Sequence, residues 1–288
     1  MPIDHDRLLA RAFPEVEQPY SARDVILYAL GIGIGADPLD EAQVRFTFEE
    51  SEGFAPLATM PVVMAGPGFW VREPDSGVTW EQVLHGEQRL TLHNPMPAEG
   101  VAVGRTRIEG VVDKGEGKGA LIYVAREIHE KTTGVHVATS LSTTFARADG
   151  GFGGPSGPVL AAPPVPDRAP DLVDEWATPP QAALIYRLSG DSNPLHASPR
   201  VAAQAGFPAP ILHGLCSYGV AGWSILRTCC GGDPTRLRQI DLRFSSPVFP
   251  GETLRTEIWQ DGEEVSFRTR VVERDRIVLN NGYARIAA

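Results

Sequence analysis

Apolar residues recur at a helical spacing in a few segments of the chain. After Ser21, the segment SARDVILYALGIG places its apolar residues on one helix face, and the serine is a candidate N-cap. The apolar run LCSYGVAGWSIL after Gly214 predicts a second, buried helix. GFAPLATMPVVMAG, which begins at Gly53, predicts a third helix with a proline near its start.

Most other patterned segments have the character of strands. Strands are predicted in EQRLTLHNP, VAVGRTRIEGVVDKG, GALIYVAREIHEK and GVHVATSLSTTFARA, and a shorter one in VRFTFEE. Residues 149–170 are rich in glycine and proline and have little periodicity, which predicts a linker on the protein surface.

The second half of the chain repeats the first. Four anchors keep the same order: Tyr28 with Tyr186, Gly53 with Gly206, Leu90 with Leu242, and Arg147 with Arg285. The offset in numbering is 158, 153 and 152 at the first three anchors and falls to 138 at the fourth. The first half should therefore carry a longer hairpin, most simply around DKGEGKG.

The repeat predicts an α+β protein made of two similar units, each a helix wrapped by a strongly twisted antiparallel sheet. We place the first unit at residues 1–148, a Gly/Pro-rich linker at 149–178 and the second unit at 179–288. Packing the units side by side would join their sheets and close two edges that would otherwise be exposed.

Candidate chemistry is concentrated between Tyr186 and Gly222. Asp191, Asn193 and His196 lie on one Gly-Asp-x-Asn-Pro turn, and a second histidine precedes Gly214 at the start of the apolar helix. A carboxylate and an imidazole held close together form a natural acid–base pair. The alternative is structural: Asp and Asn side chains stabilise turns, and Asp191 would then only cap the next helix.

The segment resembles the signature of the MaoC-like (R)-specific enoyl-CoA hydratases, the hydratase 2 family. The signature, Y-x-L-S-G-D-x-N-P-L-H followed at a fixed distance by P-x-L-H-G, is complete in this sequence. Its positions are Tyr186, Leu188, Ser189, Gly190, Asp191, Asn193, Pro194, Leu195, His196, Pro210, Leu212, His213 and Gly214. Together with the repeat, the resemblance implies a double hot-dog fold.

The resemblance implies roles for the matching residues. Asp191 and His196 would hold a water molecule and relay its protons, and Asn193 would orient the water or one of the pair. The backbone N–H of Gly214 would stabilise the negative charge that develops on the thioester oxygen. The implied mechanism needs no metal and no cofactor, and coenzyme A enters as part of the substrate.

The resemblance also points to substrate contacts outside the turn, at His85, Gly86, Lys114, His213 and Phe244. Lys114 could meet a phosphate of coenzyme A as a point charge, and Phe244 could pack on the pantetheine or acyl chain. Each has a plainer alternative, in which Lys114 only solubilises a hairpin and Phe244 belongs to the core.

The first half lacks an acid–base pair at the equivalent turn. The Tyr28 anchor carries Asp191, Asn193 and His196 back onto Gly33, Gly35 and Pro38, while His213 and Gly214 fall near residues 58–60. We expect these glycines to open space, as a half that houses an acyl chain requires. The alternative is that the first half lost its catalytic residues and serves only packing.

Composition and charge limit the classes of binding partner that the chain is expected to have. With 42% hydrophobic and 22% charged residues the 288-residue chain is typical of a globular protein. A net charge of −10 disfavours nucleic acid and anionic membrane as main partners. Neither the three cysteines nor the histidines have a zinc-binding spacing. No apolar run is long enough to span a membrane.

The cysteines, the absence of a signal-peptide pattern and the last residues, ARIAA, together favour a cytoplasmic protein. A homodimer is compatible with the fold. The function expected is (R)-specific, reversible hydration of trans-2-enoyl-CoA in fatty acid metabolism. Alternatives on the same fold are an acyl-CoA thioesterase or an acyl-carrier-protein dehydratase, and a non-catalytic acyl-CoA-binding or assembly subunit.

Overall fold

A computed structural model describes residues 2–287. Ten strands form one antiparallel sheet, and the longest helix, Gly214–Cys229, packs against it. The bounds of the elements are given for the two halves in turn.

In the first half three strands, of 14, 11 and 11 residues, are longer than any helix. Its elements are α1 (His5–Leu9), β1 (Val16–Tyr20), α2 (Ala22–Gly31), α3 (Glu41–Val44), β2 (Val83–Leu92), β3 (Gly100–Asp113), β4 (Ala120–Glu130) and β5 (His136–Ala146). Four short 3-10 helices lie between α3 and β2, at Met60–Val63, Trp70–Arg72, Pro74–Ser76 and Trp80–Gln82. The helix predicted after Ser21 is confirmed as α2, which Ser21 caps through a capping box with Asp24.

The second half contains the longest helix. Its elements are β6 (Leu172–Ala177), α4 (Ala182–Tyr186), α5 (Pro199–Gln204), α6 (Gly214–Cys229), β7 (Leu237–Phe244), β8 (Thr253–Asp261), β9 (Glu264–Val271) and β10 (Arg276–Ile286). Short 3-10 helices cover Arg187–Ser189, Pro194–His196 and Pro234–Arg236. The apolar helix predicted after Gly214 is confirmed as α6.

The strands of the two halves are arranged symmetrically about the centre of the sheet. The order is β1-β3-β4-β5-β2-β7-β10-β9-β8-β6, so each strand of the first half has a counterpart at the mirrored place. The halves meet where β2 pairs antiparallel with β7. In that pairing Arg89 lies opposite Asp241, two residues whose numbers differ by the 152 that the sequence repeat gives. An approximate two-fold axis therefore passes through this pair.

Two tyrosines that the repeat makes equivalent also meet near this axis. The rings of Tyr28 in α2 and Tyr186 in α4 lie 5.7 Å apart, and both are fully buried. Gly31 permits the close approach of the two helices, since a Cβ there would lie 3.1 Å from the Cα of Tyr186. The duplication predicted from the sequence is thus confirmed by both the sheet and the helices.

The two halves differ in what covers the inner face of the sheet. In the second half it is α6, whose residues are almost all buried. In the first half the equivalent segment contains only the 3-10 turn Met60–Val63, so the helix predicted from Gly53 is wrong. Pro56, Pro61 and Pro67 interrupt this segment, and each proline lacks the N–H that a continuous helix needs.

The strand predicted in VRFTFEE is also wrong. Val44 ends α3, and the following residues form turns. The alternating pattern arises because Phe46 is buried against Trp223 of α6, with ring centroids 5.6 Å apart, while Phe48 is exposed. A single aromatic contact across the halves therefore produces a strand-like pattern in a turn.

The longer hairpin of the first half is confirmed. Strands β3 and β4 have 14 and 11 residues, whereas their counterparts β8 and β9 have 9 and 8. The extra length extends the β3–β4 turn, which carries Lys114, beyond the end of the second half's hairpin.

The linker lies across the outer face of the sheet. Its backbone carbonyls accept hydrogen bonds from Arg89 of β2 and Asn281 of β10, at Ala161 and Pro163. The end of the range predicted as linker, 149–178, instead contains strand β6, which pairs with β8 at the edge of the second half. Residues 172–177 therefore belong to the part of the sheet that the second half forms, and the irregular linker is shorter than expected.

The glycines of the first-half turn do not open space. Gly33 has a φ of +91°, and a Cβ there would lie 2.9 Å from Pro179 Cδ and 3.0 Å from Trp176 Nε1. Trp176 Nε1 donates to the backbone oxygen of Ile32 at 3.0 Å. The expectation that Gly33 opens space for an acyl chain is therefore wrong. The glycine instead allows Pro179 and Trp176 to pack closely against the first half.

We expect Gly33→Ala to destabilise the protein by about 2–4 kcal/mol, since a positive φ and a steric overlap act together. Gly134→Ala is the matched control, because Gly134 has a φ of +71° and open space around its Cβ position. Urea unfolding measures both variants. Equal losses of stability would show that packing against Pro179 is unimportant.

Candidate active site

The turn between the end of α4 and α5 holds Asp191 and Asn193 in place through local hydrogen bonds. Asp191 Oδ1 accepts from the backbone N–H of Asn193 at 3.0 Å, and Asn193 Oδ1 accepts from that of Leu195 at 3.0 Å. Both side chains remain exposed. The Asx turn foreseen for this segment is therefore present, but the residue that caps the next helical turn, Pro194–His196, is Asn193 and not Asp191. Both side chains keep one polar atom that makes no hydrogen bond within residues 2–287.

His196 follows on the same turn and is fixed in one orientation. Its Nδ1 lies 2.8 Å from the backbone oxygen of Ile211, so this nitrogen carries the proton that is donated. Burial lowers the pKa of His196, against the opposing effects of Ile211 and Asp191. At neutral pH the ring is then uncharged, and its Nε2 has a lone pair available to accept a proton.

His213 stacks on His196. The ring centroids are 3.8 Å apart at an angle of 27°, and His213 is only 1% exposed. Burial, with a further contribution from His196, lowers the pKa of His213 to about 4. One ring nitrogen of His213, one ring nitrogen of His196 and a carboxylate oxygen of Asp191 all lie within 4.8 Å of one another. The structure thus brings the predicted pair and the second histidine to one place.

Gly214 is the first residue of α6, where the N–H groups have no acceptor inside the helix. The positive end of the helix dipole therefore faces the histidines. A Cβ on Gly214 would lie 3.2 Å from the ring of Phe244, so glycine also allows Phe244 to approach the helix start. The half-buried Phe244 therefore lies at the site, although it packs against the core as well.

Two residues of the site come from the first half. The register of β2 against β5 shifts between His85 and Glu87, which makes Gly86 the extra residue of a β-bulge. The bulge brings the His85 ring to 4.7 Å from that of Phe244. Desolvation lowers the pKa of His85, and Asp191 is among the groups that oppose this effect. The side chain keeps an exposed face that a ligand can reach.

Lys114 does not touch the catalytic turn. It is exposed on the β3–β4 turn, with Nζ 5.1 Å from the centre of the Phe145 ring. The Cβ of Phe145 in turn lies 3.8 Å from the Cβ position of Gly86. Lys114 is therefore located at the same end of the sheet as His85 and Gly86, on the outside of the site.

The site combines a proton acceptor, a carboxylate and a helix N-terminus, and Asp191 and His85 are exposed at it. Asp191 and the ring of His196 are close enough to hold a water molecule between them. Such an arrangement suits the addition of water to a double bond conjugated with a carbonyl group, whose oxygen gains negative charge. Residues of both halves contribute, since His85 and Gly86 come from β2 while the others belong to the second half.

The sequence prediction missed one charged residue on the inner face of the first-half sheet, Arg126. In ALIYVAREIHE the residues Ile122, Val124, Arg126 and Ile128 alternate with the outward-facing ones, so the pattern itself places an arginine among apolar neighbours. A charged residue at an inward position of a strand was the signal that could have revealed it.

Fold and candidate site together define a protein of the double hot-dog class, with two sheets joined edge to edge and the candidate site at the start of α6. The family described as the MaoC-like domain matches residues 161–281, and the MFE-2 hydratase 2 N-terminal domain matches residues 19–148. The chain belongs to the MaoC-like hydratase 2 family, as the signature around Asp191 indicated.

Full-length relatives support this membership. The chain is 41% identical to 3-hydroxyacyl-thioester dehydratase Y of Mycobacterium tuberculosis, with 100% of both chains covered. It is 38% identical to the peroxisomal enoyl-CoA hydratase 2 of Arabidopsis thaliana, covering 99% of this chain and 96% of the relative. The crystal structure of a MaoC-like dehydratase from Phytophthora capsici has a TM-score of 0.87 at 36% identity, with 98% of both chains covered.

The buried state of His213 predicts a pH dependence of stability. Its pKa is lowered from 6.5 to about 4, so on acidification the unfolded chain binds a proton before the folded one does. The free energy of unfolding should therefore fall as the pH decreases from about 6.5 towards about 4, and should gain nothing from this residue above that range.

The control is His213→Gln, which has no titrating group at this position. Urea unfolding across the same pH range should show a smaller acid-induced loss of stability in the variant than in the wild type. If the two losses are the same, His213 does not carry the shifted pKa described here.

Proposed function

We propose that the chain catalyses the reversible hydration of trans-2-enoyl-CoA to (R)-3-hydroxyacyl-CoA. The observation that carries the proposal is the neutral His196, with Nε2 free as a proton acceptor, beside Asp191 and the N-terminus of α6. We take the stereochemistry from membership of the hydratase 2 family. The reaction itself agrees with the names of two relatives, an enoyl-CoA hydratase 2 and a 3-hydroxyacyl-thioester dehydratase.

In the proposed mechanism the water molecule contributes a hydroxyl group to C3 and a proton to C2. His196 Nε2 accepts a proton as the water attacks C3, and the carboxylate of Asp191 stabilises the cationic ring that results. The Gly214 N–H and the α6 dipole stabilise the enolate-like thioester oxygen. The pair then delivers a proton to C2. Asn193 orients the water, and the mechanism uses no metal or cofactor.

The substrate contacts proposed outside the turn are consistent with their positions. Phe244 and the bulge residues His85 and Gly86 lie at the site, and His213 stacks on His196. Lys114 lies outside the site on the β3–β4 turn, where we place the nucleotide part of coenzyme A. The first half would house the acyl chain where its irregular segment replaces a central helix, away from the filled space around Gly33.

The setting of the enzyme is part of the proposal. None of the helices of residues 2–287 is long and apolar enough to cross a membrane. The three cysteines are buried and unpaired, which suits a reducing cytoplasm. We propose fatty acid β-oxidation in the cytoplasm as the setting, although the A. thaliana relative is peroxisomal by name. A homodimer could form through the outermost strands, β1 and β6, each of which has one unpaired edge.

Asp191→Asn separates catalysis from turn formation, because an asparagine oxygen can still accept from the Asn193 N–H. We expect a loss of about 10²–10⁴ in kcat with crotonyl-CoA, and a similar loss for His196→Ala, with little change in Tm. The decrease in absorbance of the enoyl thioester measures turnover.

Asp233→Asn is the matched control for that experiment. Asp233 caps the backbone N–H of Thr235 at 2.9 Å in the same way, at the opposite end of β7 from the site. This variant should keep wild-type kcat. Near-normal hydration by Asp191→Asn would contradict the mechanism and leave Asp191 as a turn residue.

Lys114→Ala tests the position proposed for coenzyme A. A phosphate contact is made equally in the ground and transition states, so KM should rise while kcat stays nearly constant. Added salt should reduce the difference, because an exposed charge pair is screened. Lys118→Ala, on the same exposed turn, is the matched control. Equal KM values for all three proteins at low salt would leave Lys114 without a role in binding.

A further inference from the structure

A polar cavity lies beneath the first-half sheet, where the second half has its central helix. Its volume is about 150 Å³, and it is lined by Pro67, Gly68, Trp70, Thr106, Val124, Arg126, Ser140 and Ser142. A cavity of about this size can hold a molecule as large as benzene. Hydroxyl and guanidinium groups on the sheet face an irregular segment on the other side.

Arg126 is the charged group of this cavity. Its Nη2 donates to the backbone oxygen of Val62 at 2.7 Å, whereas its buried Nε has no hydrogen-bond partner within residues 2–287. No carboxylate of these residues acts on it, and burial alone lowers its pKa to about 10. Arg126 is half-buried and forms no ion pair with a carboxylate of these residues, so its guanidinium keeps donors available to an anion that enters the cavity.

The surrounding chain accommodates this guanidinium. A Cβ on Gly66 would lie 2.8 Å from Nη1 of Arg126, so a larger residue at this position would require the guanidinium to move. Thr106 lies opposite Arg126 in the β3–β4 register, and its buried hydroxyl also lacks a partner within residues 2–287. Arg126 and Thr106 thus lie side by side, and each has a hydrogen-bond donor without an acceptor within residues 2–287.

A chain of side-chain contacts connects the lining of the cavity to the candidate active site through β2 and β5. Gln88 Nε2 donates to Ser140 Oγ at 2.9 Å, and Ser140 is paired with Arg126 in the sheet. The Gln88 side chain also acts on the pKa of His85 at the site. From the other side, the oxygen of Val63 lies 4.0 Å from the Cβ position of Gly190, which precedes Asp191.

We propose that the Arg126 cavity is an anion site that receives a carboxylate at the far end of the acyl chain. The remaining guanidinium donors and the Thr106 hydroxyl would bind its two oxygens, a geometry that arginine favours. The acyl-chain part of this proposal rests on the proposed function. A free small carboxylate has the same chemistry and is distinguished by experiment.

Sheet geometry sets the length of chain that could reach the cavity. His85 is in register with Thr144 and Ile122, four residues from Arg126 along β4 and two strands away from it. The two Cα positions are then roughly 16 Å apart at the usual strand rise and spacing. A four-carbon chain cannot bridge such a distance, whereas a medium or long chain can.

The test compares trans-2-decenoyl-CoA with the same thioester carrying a terminal carboxylate. For each protein we take the ratio of kcat/KM for the carboxylated substrate to that for the methyl-terminated one. We expect Arg126→Met to lower this ratio on the order of tenfold, the effect of losing a charge-assisted hydrogen bond. Arg105→Met is the matched control, since Arg105 is an exposed residue paired with Glu15 on the outer face.

Thr106→Val keeps the test valid if Arg126→Met does not fold. Its hydroxyl makes no hydrogen bond to the protein, so its loss removes a ligand contact and no structural one. It should lower the same ratio by severalfold. An unchanged ratio in both variants would overturn the acyl-chain placement.

A binding measurement separates the two sources of carboxylate and does not depend on turnover. Glutarate, compared with chloride at equal ionic strength, should raise the Tm of the wild type more than that of Thr106→Val. A shift in Tm with no change in the substrate ratio would indicate a site for a free anion and contradict the acyl-chain placement. No shift and no change would mean that the cavity holds water only, and the proposal would be wrong.

Discussion

The antiparallel pairing of β2 with β7 is the interaction on which the rest of the structure depends. It joins two five-stranded sheets into one and places the approximate two-fold axis at Arg89 and Asp241. The same pairing sets His85 and Phe244 beside each other at one end of the two strands. Since a slip of one residue reverses the face of every side chain on a strand, this register also determines which residues of β2 can take part in the site.

Much of the second half could be predicted from its sequence, because local chemistry decides it. The turn at Asp191 and the helix start at Gly214 each depend on residues close together in the chain, and both form as expected. The sheet pairing followed from the repeat, since equivalent residues must be equivalent about an axis. The 152-residue offset between Leu90 and Leu242 reappears in the opposed pair at the centre of the sheet.

The errors concern contacts between residues far apart in the sequence. Phe46 is buried by Trp223 and so imitates a strand pattern, while the apolar residues around Met60 are interrupted by prolines and cover a sheet without forming a helix. Gly33 was expected to leave space, but its neighbour is Pro179 from the other half. The strand register decides that Arg126 lies beside Thr106 and Ser140, and no local pattern specifies these neighbours.

The covalent link between the halves has an evolutionary consequence. In a dimer of identical subunits any substitution appears in both sites at once, so neither site can lose its acid–base pair while the other keeps it. Once two copies share a chain, each can change alone. The first copy could exchange its central helix for the segment around Met60 and its catalytic turn for Gly33, while still lending His85 and Gly86 to its neighbour. A duplicated chain thus permits two halves with the same fold to take on different roles.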